Sequence, residues 1–323
     1  MIISRSPLRI SLGGGASDIA SYYSQYGGFF ISAAIQQYVY TTVTRSNSDK
    51  FLLRYSKIEN VDNIEEIQHP IIREALKLTG ISEPLEITSM ADLPSGSGLG
   101  SSGSFATALL KALYKFKRQS ISPEQLAKMA CHIEIDLLKE PVGLQDQTIA
   151  AFGGVNSFTV DYDGKVTVQP LNVSEYILNQ LEENLIMVST GFYRAASKVL
   201  KEQDDKTKAM DQNMIDNLHH IKDLGYRSLD ALESCDLIEF GTIMHEHWQY
   251  KKKRSKNMSN PDIDEWYQIA MENGAIGGKL VGAGLGGFLL FYTEEKTRLQ
   301  NAFKQIGLKE VEIRFDFEGT KIL

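Results

Sequence analysis

The chain has 323 residues, 42% hydrophobic and 23% charged, with a formal net charge of -7. Such a length can bury the cores of two domains, and the negative balance argues against nucleic acid as the principal partner. Only Cys131 and Cys235 are present, which excludes a disulfide framework, and neither a signal peptide nor a bilayer-spanning run is visible, so a cytoplasmic enzyme is expected.

Near the start, Ile10-Ser-Leu12, Gly28-Phe-Phe-Ile-Ser32 and Tyr38-Val-Tyr-Thr-Thr-Val-Thr44 read as strands, the last by its β-branched and aromatic content. Ile71 to Leu78 reads as a helix, Leu85 to Met90 as a strand, and the segments after Phe105 and Pro123 as helices. Ala150 to Val160 and Lys165 to Gln169 flank Asp161-Tyr-Asp-Gly164 and read as a hairpin. The strand Leu185 to Thr190 leads into a long helical, charged section through Tyr250, and two more strands, Gly287 to Thr293 and Val311 to Phe315, follow. Strands in runs and helices in runs predict an α+β chain instead of regular βαβ winding. The domain boundary falls between about Pro170 and Leu185, dividing the chain into 1–175 and 176–323.

The most informative stretch is Pro94-Ser-Gly-Ser-Gly-Leu-Gly-Ser-Ser-Gly-Ser-Phe105. Glycines let the backbone approach a ligand, and a loop that opens a helix offers free N–H groups and the positive end of the helix dipole to an anion. A polyphosphate is the natural guess, with a serine hydroxyl for a Mg²⁺ ion. The loop lacks the lysine of a Walker A sequence. Gly98-x-Gly100-x-x-Gly103 matches a dinucleotide fingerprint literally, but Ala-Asp-Leu-Pro-Ser separates it from the preceding strand, and Glu124 sits at a helix start instead of a strand end.

Two more glycine clusters accompany it: Pro7-Leu-Arg-Ile-Ser-Leu-Gly-Gly-Gly-Ala-Ser-Asp18 and Lys279-Leu-Val-Gly-Ala-Gly-Leu-Gly-Gly-Phe-Leu-Leu290. With these three motifs in this order the chain resembles the GHMP kinases over nearly its whole length. Cys131-His-Ile-Glu-Ile-Asp-Leu-Leu-Lys-Glu-Pro-Val-Gly-Leu-Gln-Asp146-Gln adds a Glu and a Gly-x-x-Asp-Gln similar to those of galactokinases.

The resemblance implies a two-domain fold, an N-terminal β-rich α/β domain and a C-terminal antiparallel sheet with helices, with the active site in the cleft between them. It implies ATP and Mg²⁺, a small sugar phosphate as acceptor, no nucleic acid or membrane partner, and it leaves a homodimer open. Pro94, Gly96, Gly98, Leu99, Gly100, Ser101, Ser102 and Gly103 would hold the nucleotide, and Ser102 and Glu134 the metal. Asp146 would orient or deprotonate the attacking hydroxyl, Arg9 would stabilise transferring charge, and Gly14, Gly15, Asp18, Gly284 and Gly286 would contact the sugar.

Other readings stay open on the residues alone: a solvated helix face for Glu134, a turn aspartate for Asp146, a helix N-cap for Asp18, a surface salt bridge for Arg9 and a plain strand lysine for Lys279. Within the family the heptose 7-phosphate kinases are nearest in pattern, with fucokinase as neighbour and a nucleotide-gated regulator as the non-enzyme alternative. Gln36-Gln37 departs from that subgroup's pattern. A phosphorylated acceptor calls for fixed positive charge, for which Arg194 and the run Lys251-Lys-Lys-Arg254 are the candidates.

Overall fold

The computed structural model describes residues 1–193, 197–255, 258–284 and 286–323, with 197 and 198 through their backbone only. In the first half, seven strands are laid down in order: β1 (Ile2–Gly13), β2 (Gly28–Arg45), β3 (Phe51–Arg54), β4 (Ile58–Val61), β5 (Leu85–Ala91), β6 (Val155–Val160) and β7 (Val166–Pro170). Five α-helices, α1 (Ala20–Tyr26), α2 (Pro70–Thr79), α3 (Ser101–Phe116), α4 (Pro123–Cys131) and α5 (Gln145–Phe152), connect them. The second half contains α6 (Glu175–Asn184), β8 (Leu185–Ser189), α7 (Ser197–Lys208), α8 (Gln212–Glu233), α9 (Leu237–Lys252) and α10 (Pro261–Glu272). It closes with β9 (Ala275–Leu280), β10 (Phe288–Thr293), α11 (Lys296–Gln305), β11 (Lys309–Val311) and β12 (Lys321–Ile322).

Two sheets result, and the architecture is α+β as expected. The larger has the order β12-β1-β2-β5-β3-β4, with the β6–β7 hairpin also on β2; the smaller runs β11-β8-β10-β9. β2 explains the larger one. It is 18 residues long, so one of its edges serves two neighbours, β6 along residues 28–33 and β5 along residues 39–45. The two strands read separately from the sequence are therefore one, interrupted by a bulge where Pro7 and Leu8 of β1 face Tyr38 and Ile35. A proline cannot donate to the ladder, and a bulge is where a sheet tolerates one. Gln36 and Gln37 are the extra residues. Gln36 donates to the carbonyls of Arg314 and Phe315 and so anchors the C-terminal tail.

Helix starts follow local chemistry. Ser122 caps α4 in a reciprocal box with Gln125 ahead of Pro123, and Asn260 caps α10 ahead of Pro261. Between α4 and α5 the helix widens into a π-helical turn, His132–Leu137, which turns Glu134 inward. Two sequence readings need correction. Ala150 to Phe152 end α5 instead of starting a strand; β11 stops at Val311, and Phe315 makes only an isolated bridge with Ile35. The tail then returns to the larger sheet, where β12 pairs with β1. Strands β3, β4, β9 and β12 are additional to those read from sequence. Among the described residues no helix is long and apolar enough to cross a membrane.

Candidate active site

The loop of residues 94–100 ends on Gly100, which adopts the left-handed conformation (φ 77°) at the N-cap of α3 without a side-chain cap. The first N–H groups of the 16-residue α3 are therefore free of a side-chain cap. A Cβ on Gly100 would lie 3.1 Å from the Asp146 carboxyl carbon and 3.2 Å from Arg9 Cγ. The loop also meets the third glycine cluster directly. A Cβ on Gly98 would come within 2.6 Å of the Val281 carbonyl, and one on Gly282 within 2.4 Å of Gly98 Cα. Both glycines have positive φ, so any other residue there would be strained as well as crowded. The central and third motifs thus form one backbone-to-backbone contact.

Arg9 enters from β1. Its Nε and Nη2 donate to Asp146 Oδ1 at 2.8 and 2.7 Å, and its Nη1 donates to the Gly98 carbonyl at 2.5 Å. Asp146 lies in the first turn of α5 and is half-buried. Asp18 is beside it but is not a helix cap: α1 starts after Ile19. Its two oxygens accept from the backbone N–H groups of Ala16 and Gln145, each at 3.0 Å. Burial raises the Asp18 pKa, and the charge of Asp146 adds to that. Gly143 is glycine for lack of room, since a Cβ there would fall 2.0 Å from Asp18 Oδ2. Ala16, at φ 88°, carries the strain of the turn that aims Asp18.

Glu134 sits behind this surface. It is buried, accepts from Gln147 Nε2 at 2.6 Å and from the Ser102 hydroxyl, and burial pushes its pKa up to about 7. Gln147 Oε1 is buried without a partner. No group of three or more His, Cys, Asp or Glu that could hold a metal occurs among the described residues. A hydroxyl on the cleft wall backed by one carboxylate is the hard-oxygen set that Mg²⁺ uses when substrate phosphates and waters complete its shell, so these residues fit that ion.

Arg9, Asp18, Ser102 and Asp146 line a cleft of about 890 Å³, and Glu134 stands behind its wall. One part is apolar and aromatic, with Val39, Tyr55, His69, Ile71 and Phe105; the Tyr55 and His69 rings meet edge to face at 4.6 Å. Another part is cationic. Lys251, near the end of α9, donates Nζ to the carbonyls of Leu280 (2.7 Å) and Gly282. Lys279 of β9 donates to the Leu12 carbonyl at 2.9 Å and lies 3.4 Å from His247 Nδ1. Arg254 donates to Asn217 Oδ1 and Gln203 Oε1 at 3.1 and 3.3 Å. All four side chains are buried. Burial first, and then mutual repulsion, pushes Lys251 and His247 well below their usual ranges and Lys279 down to about 7. Arg254 falls to about 10, opposed by Asp18. Among the described residues none of these groups forms an ion pair with a carboxylate.

Of the residues singled out by sequence, Arg9, Gly15, Asp18, Asp146, Lys251 and the loop residues Pro94, Gly96, Gly98, Gly100, Ser101 and Ser102 line this cleft. Leu99 and Gly103 stand behind it. Leu99 is core, with its carbonyl on the Arg9 N–H, and Gly103 packs on Asp146 and Gln147. Gly14, Gly284 and Gly286 are not among the residues that line the cleft; they pack on Phe29, Met258 and Phe192. Arg194 lies outside the described residues. The lysine run divides by helical spacing: Lys251 and Arg254 face in, while Lys252 is near Asp264 and Lys253 stacks on Tyr250 at 4.2 Å. Sequence reading missed His247, Gln203, Gln145 and the inward face of Lys279. The one available signal was a lysine flanked by the small residues Gly277 and Gly278 in an otherwise apolar strand.

Comparison with known proteins agrees with this geometry. A model of the GHMP kinase N-terminal domain matches residues 67–154, and one of the GHMP kinase C-terminal domain matches residues 228–310. A D-glycero-α-D-manno-heptose 7-phosphate kinase of Campylobacter jejuni is 29% identical, with 99% of this chain and 97% of that one aligned. A bifunctional fucokinase/GDP-fucose pyrophosphorylase of Arabidopsis thaliana is 28% identical over 90% of this chain and 29% of that one. Among solved structures, a D-glycero-D-manno-heptose 1-phosphate kinase from Bacteroides thetaiotaomicron superposes with a TM-score of 0.81 at 25% identity, covering 100% of this chain and 99% of that one.

Proposed function

The chain belongs to the GHMP kinase family, and from that premise we propose that it transfers the γ-phosphate of ATP to the anomeric hydroxyl of D-glycero-D-manno-heptose 7-phosphate. The product is the 1,7-bisphosphate, a precursor for nucleotide-activated heptose. The observation that carries the reading is the Arg9–Asp146 pair at the free N-terminus of α3, beside buried cations. In this reading the α3 N-terminus and its glycine loop hold the ATP phosphates, and the aromatic part around Tyr55, His69 and Phe105 takes the base. Arg9 occupies Asp146 Oδ1, which leaves Oδ2 to accept the proton of the acceptor hydroxyl. The new bond joins that oxygen to the γ-phosphorus, and the bond from γ-phosphorus to the bridging oxygen of ADP breaks. Ser102 and Glu134 would hold Mg²⁺, which when bound would neutralise phosphate charge.

The reading goes with a cytoplasmic location, a small-molecule acceptor and a chain that works alone or as a homodimer. The names of the two heptose kinase relatives differ in the position of the phosphate, and both support a heptose acceptor. The test is ADP release from ATP across heptose, hexose and fucose acceptors, with and without a 7- or 6-phosphate and with and without Mg²⁺. Heptose 7-phosphate should give the highest kcat/KM, and only with Mg²⁺. Equal or better turnover of free fucose or mannose would move the enzyme to a fucokinase-like function, and binding of NAD(P) in place of ATP would overturn the kinase reading.

A further inference from the structure

Among the described residues, the cationic part of the cleft contains one cation with a buried donor left unpaired. Lys251 and Lys279 have their ammonium groups committed to the carbonyls of Leu280, Gly282 and Leu12. Arg254 does not. Its Nε and Nη1 reach the neutral amides of Asn217 on α8 and Gln203 on α7, while Nη2 is buried without a hydrogen-bond partner. The residue is only 6% exposed, yet it lines the cleft together with Gln203, Asp18 and Lys279. A buried guanidinium with an unused donor and no carboxylate partner among the described residues is expensive unless a ligand completes it.

Its neighbours say on which side that ligand lies. Asp18 is the carboxylate that acts on Arg254, and both oxygens of Asp18 are already held by backbone N–H groups. Arg9, by contrast, is bound to Asp146 and to the glycine loop that receives the nucleotide. Lys279 and Lys251 both feel Arg254 and Arg9, and all four line the one cleft. Gln203, which accepts from Arg254, also donates to the carbonyl of Ala16, whose N–H holds Asp18, so Arg254 stands on the Asp18 side of the cleft, where the acceptor sugar is expected.

We propose that Arg254 is the receptor for a phosphate group carried by the acceptor itself, and hence the residue that selects a phosphorylated sugar over a free one. This deepens the kinase reading above and rests on it. The planar fork suits a phosphate dianion, which can take Nη2 together with a second N–H now lent to Gln203 or Asn217. Those amides sit on two different helices, α7 and α8, so when the phosphate takes the N–H of one the other still holds the guanidinium in place.

The test compares heptose 7-phosphate with the same heptose lacking its phosphate. Arg254→Gln should raise the KM for the phosphorylated acceptor by roughly tenfold to a hundredfold, with the KM for ATP and for the free heptose within about twofold of wild type. Lys253→Ala, whose ammonium rests on Tyr250 outside this cleft, should change none of these constants. An unchanged preference in R254Q, with the wild type active, overturns the assignment and leaves the kinase reading standing. Turnover of no sugar by the wild type defeats that reading instead, and inorganic phosphate then decides on Arg254. Titrated into protein loaded with a non-hydrolysable ATP analogue, phosphate should bind one to one in wild type and at least about tenfold more weakly in R254Q. No binding to wild type overturns the proposal. Should R254Q fail to fold, Arg254→Lys keeps the charge without the fork and should still raise the phosphorylated acceptor's KM severalfold; no change there overturns it too.

Discussion

Around Gly98 and Gly100, the cleft offers an anion backbone N–H groups and a helix dipole, with Arg9, paired to Asp146, as the side-chain cation. Around Lys251, Arg254 and Lys279 it offers buried side chains brought in from α9, the turn after it, and β9. The first kind of site is cheap to bury, indifferent to pH and tolerant of any phosphate ester, because peptide dipoles carry no net charge. The second keeps charges away from water at a cost, so its protonation follows its occupant. A kinase gains from both. ATP is common to every turnover, whereas the acceptor must be told apart from other sugars.

The largest effect should come from the group between the two regions. Asp146→Asn should leave the fold and ATP binding intact while lowering kcat by at least about 10²-fold. Steady-state kinetics beside a thermal melt will separate these, and near-normal turnover would make Asp146 structural. Next comes the backbone region. Gly98→Ala forces a side chain against the Val281 carbonyl at positive φ, a cost of about 1–3 kcal/mol. The KM for ATP should rise about tenfold in that variant, with acceptor preference unchanged; a shift in acceptor preference would erase the division between the regions. The metal ligands come third. Because burial lifts the Glu134 carboxyl to about 7, protons should compete with Mg²⁺ below that value. The Mg²⁺ concentration for half-maximal rate should climb up to about tenfold per pH unit in wild type and be flat in Glu134→Gln.

The smallest effect concerns the side-chain region. Lys279, lowered to about 7, is mostly neutral at about pH 8, and a nearby dianion restores its charge. Acceptor binding should therefore take up a fraction of a proton at that pH, and less at about pH 6 where Lys279 is already charged. Calorimetry in buffers of different ionisation enthalpy reads this, and Lys279→Met should abolish it. Equal uptake in that variant would assign the proton to another group.

How much of this was legible in the sequence divides along the same line. The 94–103 loop is local, and its glycines announce an anion site because the backbone itself does the binding. Glu134 and Asp146 were placed by spacing against a known family, and the π-helical turn that brings Glu134 inward had no sequence signal of its own. Lys279 and His247 are 32 residues apart and meet only because β9 packs on α9. Nothing in the pattern of either segment alone marks that meeting. The bulge at Gln36-Gln37 was hidden because a β-rich run gives no sign of where its register slips.

The most direct test of a kinase that joins a backbone nucleotide cradle to a charged acceptor pocket is the identity of its product. Phosphorus NMR of the purified protein incubated with ATP, Mg²⁺ and heptose 7-phosphate should show a new anomeric phosphate coupled to the C1 proton while the 7-phosphate signal persists. A product phosphorylated elsewhere on the sugar, or anomeric phosphate formed faster from the unphosphorylated heptose, would contradict it.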